Sequence, residues 1–326
     1  MKIKYQDLRE TNRLPLIENV PLDAPWLVMC DPANVCDARC SFCPTGQKEF
    51  VKMRPNGIMD FGMYERMIGE FKKMPSKVRK WVFCKDGEPL LNKRLIEMLR
   101  MAIDADISEK YWLRTNGLKL NPALNTQLAA VGLDLIGISI KAMSAEGYLQ
   151  IADVKMDYDK FKANIADLYE KIKGTKTNLY INTVNLHSEE DTAKFFTDFE
   201  PISTTIALED VHNWSMSELH DWKQGGRVTD NKLVPREACG FPLYTFAINW
   251  NGQVSACQED WAMRNIIGDL RTQSVQEIWR GAQRREFVNM HLTGRKRELP
   301  ACAHCSYIEF CPVNIDPHMA ELLERI

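Results

Sequence analysis

Short apolar runs alternate along the first two thirds of the chain with segments whose apolar residues recur every three or four positions. The short runs predict buried parallel strands, and the recurring pattern predicts amphipathic helices. The predicted strands cover 26–30, 80–84, 111–115, 133–140, 178–184 and 203–208. The predicted helices cover 59–73, 95–105, 158–173 and 189–199. Strands that alternate with helices indicate a parallel sheet with right-handed crossovers.

About six such strand–helix units predict an α/β fold, namely a partial (β/α)6 barrel with its chemistry at the carboxyl ends of the strands. A doubly wound sheet fits the same alternation equally well. The polar loops after the strands are CDARCSFCP, KDGEP, RTNG and SIKA, which begin at Cys36, Lys85, Arg114 and Ser139. We therefore expect these four loops to meet at one edge of the sheet.

The pattern changes after residue 210, where the chain becomes polar and contains Gly225-Gly226. We place a linker at 214–234 for this reason. It separates an N-terminal extension (1–24) and a core barrel (25–213) from a small α+β domain (235–326). In that domain FAINWNGQVSA predicts a hairpin with its turn at Asn251-Gly252, and an amphipathic pattern predicts a helix over 275–290.

Composition narrows the class of protein. The 326 residues are 45% hydrophobic and 26% charged, with a net charge of −2, so no charge pattern points to nucleic acid or to an anionic membrane surface. No apolar run reaches the ~20 residues that span a bilayer. The first residues lack the apolar stretch of a signal peptide, which favours the cytoplasm.

Ten cysteines are unusual for such a chain, and they fall into two groups. A reducing cytosol disfavours disulfides, so grouped cysteines point to metal or catalysis. Cys30 and Cys84 lie inside apolar runs and are predicted to be core residues. The others of the first group are Cys36, Cys40 and Cys43, and the second group comprises Cys239, Cys257, Cys302, Cys305 and Cys311.

The spacing Cys36-x3-Cys40-x2-Cys43 places three thiolates in one short loop. Three thiolates leave one iron of a [4Fe–4S] cube without a protein ligand, and the amino and carboxylate groups of S-adenosylmethionine (SAM) can chelate that iron. Phe42 and Pro44 suit a loop packed around a cube. The alternative is a zinc ion, but zinc usually takes four ligands and no fourth is nearby.

This loop resembles the signature of the radical SAM superfamily, and the resemblance runs through most of residues 26–210. KDGEP matches the second-strand motif whose backbone binds the SAM amino group, except that Asp86 stands where the family has its first glycine. The resemblance implies a SAM-cleaving [4Fe–4S] cluster, a 5′-deoxyadenosyl radical and a flavodoxin- or ferredoxin-type electron donor. It implies SAM contacts at Phe42, Asp86, Gly87, Glu88, Thr115, Asn116 and Ser139.

The second cysteine group also suggests a metal site, because the hairpin brings Cys239 near Cys257 and Cys302-x2-Cys305 adds a close pair. Four thiolates in isolation would favour zinc. The order of cysteines, glycine, IIGDL and CxxC instead resembles the SPASM and twitch domains of radical SAM proteins over residues 235–315. This resemblance implies an auxiliary [4Fe–4S] cluster. A full SPASM domain has one more cysteine where Ile315 stands, so the one-cluster twitch form fits better.

Three reactions remain open. The spacing is closest to twitch aminocyclitol dehydrogenases, which implies oxidation of a hydroxyl on a small sugar- or cyclitol-like substrate. Cys311 is either a buried small hydrophobe or a hydrogen donor to a substrate radical, which would make the protein an epimerase. Modification of a peptide or protein is the third reaction. Lys141, Glu209 and Arg236 lie near predicted strand ends or the domain junction, where they fit equally well as substrate contacts and as solvated charges. A non-enzymatic carrier role leaves the SAM-like motifs unexplained.

Overall fold

A computed structural model describes residues 15–211, 214–216 and 236–326. Within them nine strands form one mixed sheet. The strands are β1 (Leu27–Cys30), β2 (Lys80–Phe83), β3 (Tyr111–Thr115), β4 (Leu135–Ile140), β5 (Asn178–Val184), β6 (Thr205–Glu209), β7 (Thr245–Ile248), β8 (Gln253–Ser255) and β9 (Ile266–Asp269). All six strands predicted for the core are present, so the α/β expectation is confirmed.

The sheet has the order β6-β5-β4-β3-β2-β1-β7-β8-β9. Strands β1 to β6 run parallel, and β7 continues the parallel pairing beside β1, with Leu27 opposite Thr245. Strands β8 and β9 turn back antiparallel. The predicted hairpin is thus β7–β8, and Gly252 has the positive φ of +86° that its turn requires. The small domain therefore extends the sheet of the core.

Helices connect the strands and cover the sheet. They are α1 (Leu16–Asn19), α2 (Lys48–Val51), α3 (Phe61–Phe71), α4 (Leu95–Asp104), α5 (Pro122–Val131), α6 (Ala145–Ala152), α7 (Tyr158–Ile172), α8 (Glu189–Phe199), α9 (Phe241–Tyr244), α10 (Val275–Trp279), α11 (Ala282–Leu292) and α12 (Met319–Arg325). Helix α7 illustrates the pattern. The side chain of Asp157 caps its first turn, and Phe161, Ile165 and Leu168 face the core at helical spacing.

Two predictions about helices were incomplete or wrong. The helix predicted over 275–290 is two helices, because the chain at Gly281 is extended and a Cβ there would lie 2.6 Å from the carbonyl oxygen of Glu277. Helix α5 was not predicted, although Asn121 caps its start and Gly132 ends it in the left-handed conformation. The proposed linker falls almost wholly outside the described residues.

The two largest apolar clusters of the described residues form the main cores of the structure. The larger core lies between the sheet and its helices and includes Trp81, Tyr148 and Phe199. A smaller core joins α1 to the C-terminal segment and includes Leu16, Cys311 and Leu322. No helix in the described ranges is both long and apolar enough to cross a membrane.

Candidate active site

The carboxyl ends of the parallel strands surround a cavity of about 270 Å³. The four loops that the sequence singled out meet there, as expected. Every residue predicted to hold the SAM-cleaving cluster or SAM lines this cavity: Cys36, Cys40, Phe42, Cys43, Asp86, Gly87, Glu88, Thr115, Asn116 and Ser139. The structure thus brings together residues that lie more than 100 positions apart.

The cysteine loop is a tight turn. The Cys43 N–H donates to the Cys40 carbonyl at 3.2 Å, and the Gly46 N–H donates to the Cys43 carbonyl at 2.9 Å. A Cβ at Gly46 would lie 2.2 Å from the Cys40 carbonyl oxygen, so the turn needs glycine there. On its other side, the Arg39 N–H donates to the Ala152 carbonyl at the end of α6. These bonds present the three thiols to the cavity.

The thiols of Cys36 and Cys40 are protonated near neutral pH when no metal is bound. Burial raises the pKa of Cys36 to about 12 and that of Cys40 to about 11. The Ala38 N–H and the Asn116 amide both donate to the Cys36 sulfur, at 3.5 and 3.8 Å. Iron must therefore displace the thiol protons, while the two donors would stabilise the thiolate. In the described part of the chain no three His, Cys, Asp or Glu side chains are placed to hold a single metal ion, so the ligand assignment stays a prediction.

The KDGEP loop packs directly on the backbone that precedes the cysteines. A Cβ at Gly87 would lie 2.1 Å from the Ala33 carbonyl oxygen, so only glycine allows this approach. Cys84 was predicted to be a core residue, but it lines the cavity and its thiol donates to the Gly87 carbonyl at 3.7 Å. The second strand ends at Phe83, which leaves Cys84 at the edge of the cavity.

Glu88 ties this loop to the end of β3. Its carboxylate accepts from the Thr115 hydroxyl and the Asn116 N–H, each at 2.7 Å, and from the Leu90 N–H at 3.0 Å. Burial raises the pKa of Glu88 to about 7, although these donors lower it. The network fixes two predicted SAM-binding loops relative to each other.

Asp86, the departure from the family motif, does not present its carboxylate to the cavity. Its Oδ2 accepts from Arg54 at 2.7 Å and from Lys85 at 2.5 Å, and all three side chains are almost fully buried. Burial alone would raise the pKa of Asp86, but Lys85 and Arg54 hold it below its usual value. Burial and the Asp86 charge raise the pKa of Asp31 to about 7. These ion pairs engage the Oδ2 atom of Asp86, and the predicted contact of Asp86 with SAM is through its backbone.

The sequence did not indicate Arg54, which links three segments. It donates to Asp86, to the Trp261 carbonyl at 2.6 Å and to the Asn34 carbonyl at 3.3 Å. Lys85 likewise donates to the Asp260 carbonyl at 3.1 Å. The buried cations therefore join the predicted SAM site to the small domain. No local pattern identifies such a residue, because its partners come from distant segments.

Part of the cavity wall, at the ends of β3 to β6, carries polar side chains. Glu209 accepts from the Tyr180 hydroxyl at 2.6 Å and from the Asn182 amide at 3.1 Å, and it lies 3.6 Å from Arg114. Lys141 and Glu209 both line the cavity. Arg236 does not line it, because its guanidinium donates to the carbonyls of the C-terminal segment at residues 311 and 313.

A second, smaller cavity of about 30 Å³ lies in the small domain. The four cysteines predicted to bind the auxiliary cluster all line it: Cys239, Cys257, Cys302 and Cys305. The Glu259 N–H donates to the Cys257 sulfur at 3.5 Å and the Asn265 amide donates to the Cys302 sulfur at 3.6 Å. Burial raises the pKa of all four thiols, that of Cys305 to about 12. The donors suit thiolates that bind iron.

Two further residues lie beside this cavity. Cys311 is 2% exposed and belongs to the smaller core. It lies close enough to Cys239 to contribute, after burial, to the raised pKa of that thiol. It does not line the larger cavity. His291, which the sequence did not single out, is also 2% exposed and lines the smaller cavity. Burial lowers the pKa of His291 to about 4, so its ring is neutral.

The fold and both cavities define a class of protein. The chain belongs to the radical SAM superfamily, whose family model matches residues 31–196, just over half of the chain. A second family model, for an iron–sulfur cluster-binding SPASM domain, matches residues 239–306. The two domains imply SAM, the [4Fe–4S] cluster that cleaves it and an auxiliary iron–sulfur centre. Both resemblances drawn from the sequence are confirmed.

Particular proteins resemble this chain in part. It is 31% identical over 166 residues to an uncharacterized protein of Methanocaldococcus jannaschii, which covers 48% of this chain but only 37% of that protein. The crystal structure of BtrN in complex with AdoMet (SAM) and 2-DOIA is 18% identical, covers 86% of this chain and 92% of its own, and gives a TM-score of 0.56. Streptococcus suis SuiB bound to precursor peptide SuiA is 14% identical, with coverages of 80% and 65% and a TM-score of 0.59. These two structures share the fold.

Proposed function

We propose that this radical SAM enzyme dehydrogenates a hydroxyl-bearing carbon of a small sugar- or aminocyclitol-like substrate. The polar wall of the larger cavity carries this proposal. Arg114, Lys141 and Glu209 offer two cations and a carboxylate in the cavity that the cysteine loop also lines. Hydroxyl and amino groups are the ligands that such a wall recognises.

The cofactors are assigned to the two cavities. Cys36, Cys40 and Cys43 would hold the SAM-cleaving cluster, and Cys239, Cys257, Cys302 and Cys305 would hold the auxiliary one. When bound, these groups supply the electron that cleaves SAM, the radical that takes a hydrogen atom from the substrate carbon, and an acceptor for the electron left behind. The backbone of Asp86, Gly87 and Glu88, with Phe42, Thr115, Asn116 and Ser139, would hold SAM.

The protein itself must remove the hydroxyl proton. Glu209 is one of two neighbouring carboxylates on the polar wall, with Asp210, and its two oxygens accept hydrogen bonds from Tyr180 and Asn182. A carboxylate fixed in this way can accept a proton from a neighbouring hydroxyl. Arg114, at 3.6 Å from Glu209, would stabilise the anionic carboxylate before the transfer.

The connection between the cavities supports a redox role for the auxiliary cluster. Asp260 lines the smaller cavity, and its carbonyl accepts from Lys85 in the loop that lines the larger one. This hydrogen bond would hold the residues around the auxiliary cluster in a fixed position relative to the loop that lines the larger cavity. A flavodoxin- or ferredoxin-type protein of the cytoplasm would supply the electron for SAM cleavage.

Two other reactions are weighed against dehydrogenation. Epimerisation needs a hydrogen donor that faces the substrate, whereas Cys311 is buried beside Cys239 and outside the larger cavity. Peptide modification has support from the fold shared with peptide-bound SuiB. The burial of Cys311 argues against epimerisation, and the charged side chains of Arg114, Lys141 and Glu209 on the larger cavity support a small substrate with hydroxyl or amino groups.

The cluster assignment is tested by measuring iron and sulfide after anaerobic reconstitution. The wild type should hold about eight irons per chain, and the triple variant Cys36→Ala, Cys40→Ala and Cys43→Ala about four. If the wild type holds about four irons and the triple variant none, the protein has no auxiliary cluster, and the redox argument fails. Zinc at Cys302 and Cys305 would have the same consequence.

The reaction is tested with reduced enzyme, SAM and a panel of sugars and aminocyclitols that carry deuterium on the carbinol carbons. A ketone formed one-to-one with deuterated 5′-deoxyadenosine is expected. An epimer with solvent hydrogen at that carbon, lost in Cys311→Ala, would identify the epimerase instead. 5′-Deoxyadenosine that forms only with peptides would identify the third reaction.

A further inference from the structure

His291 presents a buried, unpartnered ring nitrogen to the smaller cavity. The residue lies near the end of α11, where its ring packs against Phe287 with the ring centres 5.1 Å apart. The Nε2 atom is buried and has no hydrogen-bond partner within the described part of the chain. The same cavity is lined by the four cysteines assigned to the auxiliary cluster. A buried N–H group without an acceptor is costly, so an acceptor is expected in this cavity.

The other ring nitrogen determines where the proton is. The Cys239 backbone N–H donates to Nδ1 at 3.3 Å, so Nδ1 carries a lone pair and not a proton. The single ring proton is then on Nε2, the nitrogen without a partner. This tautomer also argues against iron ligation through Nε2, because a neutral ligating ring would carry its proton on Nδ1 and oppose the Cys239 N–H.

We propose that the Nε2–H of His291 donates a hydrogen bond to a sulfur of the auxiliary cluster and thereby raises the reduction potential of that cluster. The cluster sulfurs are the acceptors that the four cysteines would bring into this cavity. Hydrogen bonds to sulfur stabilise the reduced, more negative state and so raise the potential. This role rests on the four-cysteine assignment made above, and it makes the cluster a better acceptor for the substrate electron.

Four variants distinguish the contact made by Nδ1 from the hydrogen bond proposed for Nε2. In His291→Phe both contacts are lost. In His291→Asn the side-chain oxygen can still accept from the Cys239 N–H, but nothing reaches the position of Nε2. In His291→Gln the amide can donate from near the Nε2 position. Phe287→Leu is the matched control, because it disturbs the packing of the ring and leaves the imidazole in place.

The variants are made in the full-length triple variant Cys36→Ala, Cys40→Ala and Cys43→Ala, so that only the auxiliary cluster is observed. Its midpoint potential is measured by redox titration followed by EPR. We expect His291→Phe and His291→Asn to shift the reduction equilibrium about tenfold toward the oxidised cluster, which is a fall of 59 mV for one electron. His291→Gln and Phe287→Leu should stay close to the parent protein.

Other outcomes overturn the proposal in distinct ways. An unchanged potential in His291→Phe would mean that no such hydrogen bond exists. If the midpoint potential falls in His291→Phe but stays at the parent value in His291→Asn, the effect comes from the hydrogen bond that positions Cys239. Loss of iron in both His291→Phe and His291→Gln, but not in Phe287→Leu, would make His291 an iron ligand. A parent protein without iron would refute the four-cysteine assignment itself.

Discussion

Replacement of Arg54 by methionine tests the buried link between the predicted SAM site and the small domain. The side chains of Arg54 and Asp86 are only 1% and 2% exposed. The guanidinium also donates hydrogen bonds to the carbonyls of Trp261 and Asn34. Loss of one partner of a buried ion pair typically costs about 3–5 kcal/mol, because the other charge stays buried. Lys85 still neutralises part of the Asp86 charge, so we expect the lower half of that range.

The assay is urea unfolding of the metal-free protein, followed by tryptophan fluorescence. Arg94→Met is the matched control, because Arg94 also pairs with a carboxylate, Glu97, but both side chains are about half exposed. Exposed pairs contribute little, so the control should unfold like the wild type. Arg54→Lys keeps the charge and should lie between the two. Equal unfolding midpoints for Arg54→Met and Arg94→Met would refute the reasoning.

The difference in unfolding free energy between the wild type and Arg54→Met should depend on pH. The pKa of Asp86 is held below its ordinary value of 3.8 in the folded state, so its contribution to stability is present above that pH and is lost as the pH falls further. The stability difference between the wild type and Arg54→Met should therefore be largest near neutral pH and shrink below pH 4. A difference that grows on acidification would contradict the assignment of Arg54 to Asp86.

Two further substitutions examine the loop that packs on the cysteine turn. Gly87→Ala would place a methyl group 2.1 Å from the Ala33 carbonyl oxygen, so the loop must shift. We expect this shift to weaken SAM binding about tenfold, as measured by equilibrium dialysis. Unchanged binding would show that the loop does not hold SAM. Glu88→Gln leaves the N–H of either Asn116 or Leu90 unpaired whichever way the amide turns, so unfolding in urea should reveal a loss of about 1–3 kcal/mol. Wild-type stability in that variant would argue against the buried network.

The sequence alone determined the six core strands, several of the helices and the radical SAM signature of the first cysteine loop. The strand predicted over 111–115 is Tyr111–Thr115, and the helix predicted over 189–199 is Glu189–Phe199. The spacing of apolar residues and the capping side chains depend only on residues close together in sequence, so helices and strands can be predicted from short segments. The first cysteine loop is legible for the same reason, because its three thiols lie within eight consecutive residues. The break at Gly281 was missed because a single glycine interrupts an otherwise helical period.

The tertiary structure decided which distant residues meet. Periodicity did not show that β7 pairs with β1, so that the small domain continues the core sheet. Arg54 reaches the Trp261 carbonyl across 207 positions. His291 lines a cavity with cysteines that come from distant segments of the chain. Arg236, for which the sequence left a substrate contact and a solvated charge open, donates instead to a carbonyl of the C-terminal segment. A buried charge or polar atom takes its role from the partners that surround it, and those partners come from segments that the fold alone brings together.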